Sequence, residues 1–584
     1  MNLPSDIDPI RFEVIRNAWV AACEEMALTL RRSAYSTNIK TRADFSCALF
    51  DQEARCVAQS FSQPVHLGSM AMLVREAINK TSGLDDGDVV ITNDPYLPGS
   101  HLNDITLIAP IYFGGSLAGY AANLAHHVDV GGGAPASIGA FREIYQEGVI
   151  IPPTKLARAG VLDDGVLDLL LAQVRSTFET RGDLRAQLAA NKTGAWRVQE
   201  MLEKVGLNEA KKYLSFLLEY TERRTRQAIA DLPDGRYHAS GSIDWDGYSS
   251  EPVRLEATVA IDGSRIAFDL SGSDPQRRAP VNSTFAHSVA ACAYVLKCLT
   301  DPDIPVNEGF YRCVSVTAPE RSVVNCAHPA PVVGTGETQV RLTDVLFKAM
   351  SDAMPDAVPA GTKAMICHAG FGGVDPAGLD YFCFLETLAG GYGGRMGSDG
   401  PDAVQAHGQN TENAPIEETE RRYPVRILRY ELVPNSEGAG QFRGGLGLRR
   451  DYMFPDRSVT FTVLADRDVS GPWGLFGGLA GRPAEYVLNP GDHETRLRSK
   501  TTLDLQQGDV VSYRTCGGGG FGPPLERDVE AVARDVAEER ITLERAEHAY
   551  GVVIGEDGTP DMESTRQLRG LTPPALRGPV ESAP

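Results

Sequence analysis

Apolar residues recur at helical spacing from residue 10 to 35. Ile10, Phe12, Val14, Ile15, Trp19, Ala22, Met26, Leu28 and Leu30 form a stripe that predicts one long helix. The period then shortens. DFSCALFD (44–51) and RCVAQS (55–60) read as two strands around a turn at Gln52 and Glu53, and DVVITND as a third. A Pro/Gly-rich loop, DPYLPGSHLND, leads into ITLIAPIYF and LAGYAANLAHHVDV, two apolar runs joined at Gly114, Gly115 and Ser116, which is a hairpin signal. Pro110 marks the first of these runs as an edge strand or as bulged there. From about 163 to 232 helical spacing returns in DLLLAQV, DLRAQLAANKTGAWRVQEMLEKV and EAKKYLSFLLEYTERRTRQAIADL.

After LPDG (232–235) strands dominate to about 525. They include a hairpin around IDGSR, and helices interrupt at 287–300 and 339–354. A helix is expected across LERDVEAVARDVAEERITLERAEHAYG, then a polar, Pro-rich and partly disordered tail from about 556. These patterns predict a multidomain α+β protein. Residues 1–235 form an N-terminal mixed α/β part with a helical segment, residues 236–525 a β-rich part with Gly-rich loops, and residues 526–584 a C-terminal helix and tail.

A chain of 584 residues exceeds a single core. Its formal net charge of -21 argues against a nucleic-acid partner, because affinity for phosphate backbones comes from Lys and Arg. No apolar run approaches the ~20 residues that span a bilayer. The N-terminus carries acids where a signal peptide carries a basic region, and the 10 cysteines are scattered without a CxxC, as in a reduced cytoplasmic protein. There is no GxxxxGK[ST], no HExxH and no GxSxG. GGGGFG (517–522) matches GxGxxG in letters, but Pro523 and Pro524 follow where a dinucleotide site needs a helix, so it reads as a tight loop after VVSYRTC. Cys516 before it reads as a small buried residue at a strand end.

The chemistry concentrates elsewhere. Three of the 11 histidines fall between residues 101 and 127, beside Asp104 and Asp129. Imidazole and carboxylate suit Zn, Mn or Fe. The loop has two or three residues: with three, at 114–116, Phe113 faces Leu117 and Asp104 lies opposite His126, with Cβ atoms ~4.5–5.5 Å apart, and with two the register shifts by one place and still leaves them adjacent. His126 and His127 point to opposite faces of one strand, so only one of them joins Asp104. His127 shares its face with Asp129, within reach of a hydrogen bond to it. The group reads either as a metal site or as a polar hairpin end closed by hydrogen bonds.

DPIRFEVIRNAWVAACEEM, RADFSCALFD, PVHLGSM, NDPYLPGSHLND, HHVDVGG, EIYQEGVIIPP, RGDLRAQLAAN and TCGGGGFGPPLERD together resemble the hydantoinase B/oxoprolinase family, in the family's order and over nearly the whole chain. The resemblance implies a divalent metal, Zn first and Mn or Fe next, held by Asp44, His101, Asp104 and His126. It also implies a hetero-oligomer with an actin-like ATPase subunit of the hydantoinase A type, which binds ATP-Mg and phosphorylates the substrate oxygen. The expected activity is ATP-dependent opening of a hydantoin, 5-oxoproline or lactam ring. A bicarbonate-using ketone carboxylase subunit of the acetone or acetophenone type is the alternative, and a non-catalytic scaffold the third reading. His127, Asp129, His66 and Glu147 are the candidate bases. Arg341 and Arg395 are candidate anchors for a substrate phosphate, and the loops EGFYR, TGETQVR and GGYGGR candidate pocket walls.

Overall fold

The computed structural model describes residues 4–60, 63–66, 68–81, 83–374 and 381–571. The first helix, Pro9–Ser33, starts where Asp8 accepts a hydrogen bond from Ile10 N and Pro9 takes the first turn. Its buried face is Phe12, Ile15, Trp19, Ala22, Cys23, Met26 and Leu30. Ile10, Val14 and Leu28 belong to the predicted stripe but are exposed, because they fall off this face.

That helix lies over a seven-stranded antiparallel sheet. Its strands run in the order Cys56–Gln59, Phe45–Asp51, Ser116–His126, Asp104–Phe113, Val89–Thr92, Thr154–Arg158 and Val161–Leu162. One face carries Phe45, Cys47, Leu49, Ala121 and Ala125 and packs against Pro9–Ser33 and the long helices Thr177–Val205 and Leu207–Ala230. The other face carries Phe50, Ile108, Ala122 and Leu124 and is covered by a helix the periodicity did not predict, Ser69–Lys80, through Met70, Leu73 and Val74.

The central hairpin takes the shorter of the two expected loops. Its loop has two residues, with Phe113 opposite Ser116, and the register slips once between Ile111 and Tyr112. That irregularity offsets the shorter loop, so Asp104 still faces His126. Pro110 does not mark an edge. The strand is central, but its neighbour Val89–Thr92 pairs only as far as Ile108, so proline's missing N–H falls beyond that ladder.

A new sheet begins at Gly235, with strands in the order Val314–Thr317, Arg265–Asp269, Val253–Asp262 and Gly235–Ile243. The helices Phe285–Leu299 and Thr335–Met350 pack on it. Beyond it, a four-stranded and a five-stranded sheet enclose an aromatic core. There Phe371 pairs across strands with both Phe384 and Phe461. Two helices replace the single C-terminal helix expected, Val529–Ala537 and Leu543–Tyr550; the chain breaks at Glu539, with φ 58°, and Thr542 caps the second. Part of the expected tail is ordered as the helix Met562–Leu571, its first turn held by Asp561. The remaining tail, 572–584, lies outside the described residues. Among the described residues, no helix is long and apolar enough to cross a membrane.

The GGGGFG segment is not a tight loop. Gly517, Gly518, Gly519 and Gly520 have no positive φ; they run extended and are enclosed by other backbones. Gly518 N donates to Gly445 O, Gly438 N donates to Gly518 O, and Gly519 exchanges hydrogen bonds with Gly361 and Gly394. Glycine is needed here for close approach of chains, not for a turn.

Candidate metal centre

Three neighbouring strands end side by side at the candidate site. Phe45 pairs with Ala125, and the next step places Asp44 beside His126, whose N–H donates to Asp44 O at 3.0 Å. On His126's other side lies Asp104. Directly opposed residues share a face, so Asp44, His126 and Asp104 stand abreast and line one cavity. His101 joins them because the loop turns back: Asp104 N donates to His101 O, and His101 Nδ1 lies 2.8 Å from Asp104 Oδ2. The ligand atoms of His101, Asp104 and His126 lie within 4.8 Å of one another.

The electrostatics suit a divalent cation. Burial pushes the Asp44 carboxyl up to about 6, with Asp104 adding to the rise and Arg42 opposing it. Burial also works to raise Asp104, but His101, His66 and His126 outweigh it and hold that carboxyl well below the usual range. Asp104 Oδ1 is buried without a hydrogen-bond partner. His101, Asp104 and His126 converge, then, on a small cavity that Asp44 also lines, with one buried oxygen uncommitted. This donor set fits Zn, Mn or Fe. Asn38 lies 3.2 Å from His126 Nδ1 and braces the ring. Arg42 in turn donates to Asn38 Oδ1, Leu385 O and Thr387 Oγ1, which ties this end of the sheet to the later strand Tyr381–Thr387.

The opposite wall comes from other parts of the chain. His66, on the turn Pro64–His66, keeps Nδ1 at 2.9 Å from Ser46 Oγ and turns Nε2 to within 3.9 Å of Asp104. Burial takes its pKa down to about 4, so it is a neutral imidazole at pH 7. His287 and His368 also line the cavity, and sequence reasoning missed both. Burial takes His287 down to about 3, and both its ring nitrogens are buried without partners. His368 lies 3.6 Å from Glu337. One signal for His287 was available: it is the imidazole in the first turn of a mostly apolar helix, FAHSVAACAYVLKCL. His368 opens a strand and carried no such mark.

The remaining candidates lie apart from the cavity lining. His127 points to the other sheet face, where Nε2 meets Gln187 at 3.0 Å rather than Asp129. Asp129 is held by Arg175 and by Gly131 N. Arg341 is buried against Asp466 at 2.7 Å, and Arg395 is exposed on a turn. Of the predicted loops, TGETQVR reaches the cavity through Thr335 and Gly336; EGFYR and GGYGGR do not line it.

Glu147 stands behind the wall. Its Oε1 accepts from Val332 N and Val333 N, and Val333 lines the cavity. Burial raises the carboxyl from its ordinary 4.5 to about 8, against those two hydrogen bonds. Between these values the folded chain holds a proton that the unfolded chain has lost. The stability this carboxyl contributes therefore falls as pH rises from about 5 to about 8. Glu147→Gln keeps an acceptor for both amides and removes this slope, which urea midpoints at the two pH values will show.

The family model for hydantoinase B/oxoprolinase matches residues 8–524. An uncharacterized protein of Methanocaldococcus jannaschii is 40% identical over 97% of this chain and 100% of its own. The caprolactamase subunit beta of Pseudomonas jessenii is 31% identical over 96% of this chain and 99% of its own. The crystal structure of the ATP-dependent caprolactamase from that organism superposes with a TM-score of 0.90 at 30% identity, covering 97% of this chain and 100% of that one.

Proposed function

The chain belongs to the hydantoinase B/oxoprolinase family, and on that premise we propose that it is the hydrolytic subunit of an ATP-dependent cyclic amidase that opens a hydantoin, 5-oxoproline or lactam ring. The observation that carries this reading is the set of Asp44, His126 and Asp104 abreast, with His101 folded onto them, in a small cavity of about 50 Å³. These four residues would hold a divalent cation, which lowers the pKa of water toward ~7 and polarises the oxygen of a bound carbonyl.

The remaining chemistry belongs to the protein's own side chains. His66 is neutral and buried, with Nδ1 held by Ser46, so its Nε2 is placed to take a proton from water as that water adds to the ring carbon. The departing ring nitrogen needs a proton in return, and protonated His66 supplies it. His287, with both nitrogens uncommitted, hydrogen-bonds the substrate. Burial excludes bulk water and strengthens each of these contacts.

An unstrained amide resists this addition, which is the reason for ATP. Phosphorylation of the amide oxygen on a companion ATPase subunit makes the ring carbon a better electrophile; addition of water and departure of the ring nitrogen then leave an acyl phosphate, which a second water hydrolyses to the carboxylate and inorganic phosphate. The name subunit beta of the Pseudomonas relative supports a hetero-oligomer. The test is ring opening by this chain with its companion subunit and ATP. ADP release coupled to opening of hydantoin, 5-oxoproline or caprolactam without bicarbonate is expected. Turnover of a ketone that requires bicarbonate, with no cyclic amide accepted, would overturn it.

A further inference from the structure

A cavity of about 50 Å³ takes an ion and a water but not a whole substrate, since ligand pockets usually run ~300–1,000 Å³. A second cavity of about 160 Å³ adjoins it, and Gln63 and His66 line both. The helix Phe285–Leu299 runs along the two. His287 lines the first, and Tyr294 and Cys298 line the second. At ~100° per residue, positions 287, 294 and 298 fall within about 20° of one line along the helix, over ~16 Å. One helix face therefore leads from the candidate metal centre to Cys298, the exposed cysteine among those described.

The second cavity is built for an apolar group. Pro64, Val306, the ring of Tyr294 and Cys298 form its walls. Most of its polar lining is already paired within the protein, and His66 turns its Nε2 toward Asp104 in the first cavity. Lys297 Nζ donates to the carbonyls of Asp301, Pro302 and Ile304 and so has no donor left for a ligand carboxylate. Gln63 bonds Ala43 O and Asn410 N, and Gln59 accepts from Tyr311. A dry cavity of ~150 Å³ accommodates benzene.

We infer that this second cavity is a specificity subsite, resting on the cyclic-amidase reading above, that takes an apolar substituent of the ring, up to about a phenyl group. A carboxylate in that place, as on 5-oxoproline, finds no free hydrogen-bond donor on Lys297, the cation among the described lining residues.

Two measurements test this. In the holoenzyme, kcat/KM for 5-benzylhydantoin should exceed that for hydantoin by at least ~10-fold, the discrimination an apolar pocket provides. Cys298→Trp, which fills the subsite from an exposed helix position, should bring that ratio close to one. A ratio unchanged in the variant overturns the subsite while hydantoin turnover leaves the amidase reading intact. Absence of any cyclic-amide turnover sinks the amidase reading. The second measurement then decides the subsite by itself, on the native chain. Alkylation of Cys298 by iodoacetamide, followed by mass spectrometry, should slow at least ~10-fold with saturating 5-benzylhydantoin and be unaffected by 5-oxoproline. Equal rates with and without 5-benzylhydantoin overturn the inference.

Discussion

Alanine at His126 removes bound divalent metal and ring-opening activity together, whereas alanine at the adjacent His127 leaves the metal in place. This is the expected result of elemental analysis after dialysis against micromolar zinc. His126 stands between Asp44 and Asp104 on the cavity face. His127 meets Gln187 on the opposite face. Loss of a direct ligand should cost more than the ~10–100-fold in metal affinity typical of losing an outer hydrogen-bond partner. Asn38→Ala, which only releases the His126 ring, should fall within that range. His127→Ala instead costs stability, about 1–3 kcal/mol, because the buried Gln187 oxygen loses its partner. His101→Ala should behave as His126→Ala does, with circular dichroism unchanged. Metal retained in His126→Ala and lost in His127→Ala would refute the assignment of faces.

Gly518→Ala is expected to be among the most damaging single methyl additions in the chain's Gly-rich half. A Cβ there would stand 1.9 Å from Tyr392 O. The surrounding backbone cannot yield cheaply. Gly518 N bonds Gly445 O, Gly445 N bonds Tyr392 O, and Gly438 N bonds Gly518 O. Overpacking against side chains costs about 1–3 kcal/mol, and against fixed backbone it should reach at least the top of that range. Insoluble protein, or a urea midpoint shifted far down, is the readout. Gly570→Ala provides the contrast. It lies in the helix Met562–Leu571 with nothing within 4 Å of the added carbon, and should be neutral or stabilising by up to about 1 kcal/mol. A native-like midpoint for Gly518→Ala would show that the close packing of the Gly-rich segments is not needed.

Much of the candidate centre was legible before any coordinates. Alternation along LAGYAANLAHHVDV separates His126 from His127 by face, whatever the loop. Counting back from the hairpin turn brought Asp104 opposite His126, and the structure has them paired. The pattern left a loop of two or three residues open, and the slip that compensates the shorter one was not visible, because a bulge leaves the residue pattern unchanged. His101 sits in the Pro/Gly-rich loop DPYLPGSHLND, whose composition allows the sharp turn that brings it back onto Asp104. Asp44 came only through the resemblance. Nothing in RADFSCALFD says which strand it will pair with, and that pairing is what sets Asp44 beside His126.

The sequence by itself determined the multidomain α+β class, the long helices, the family and the faces of the central hairpin. Each of these follows from local periodicity or from a string of residues recognisable in order. Only the tertiary structure decided what closes the cavity. His66, His287 and His368 arrive from a short turn, a helix and a strand spread over some three hundred residues. It also decided that the four glycines after Cys516 are a buried meeting point of backbones rather than a loop. The physical reason is the same in each case. Periodicity records which side of an element is buried, but not which distant element buries it, and a cavity or a close backbone approach is a property of that second choice.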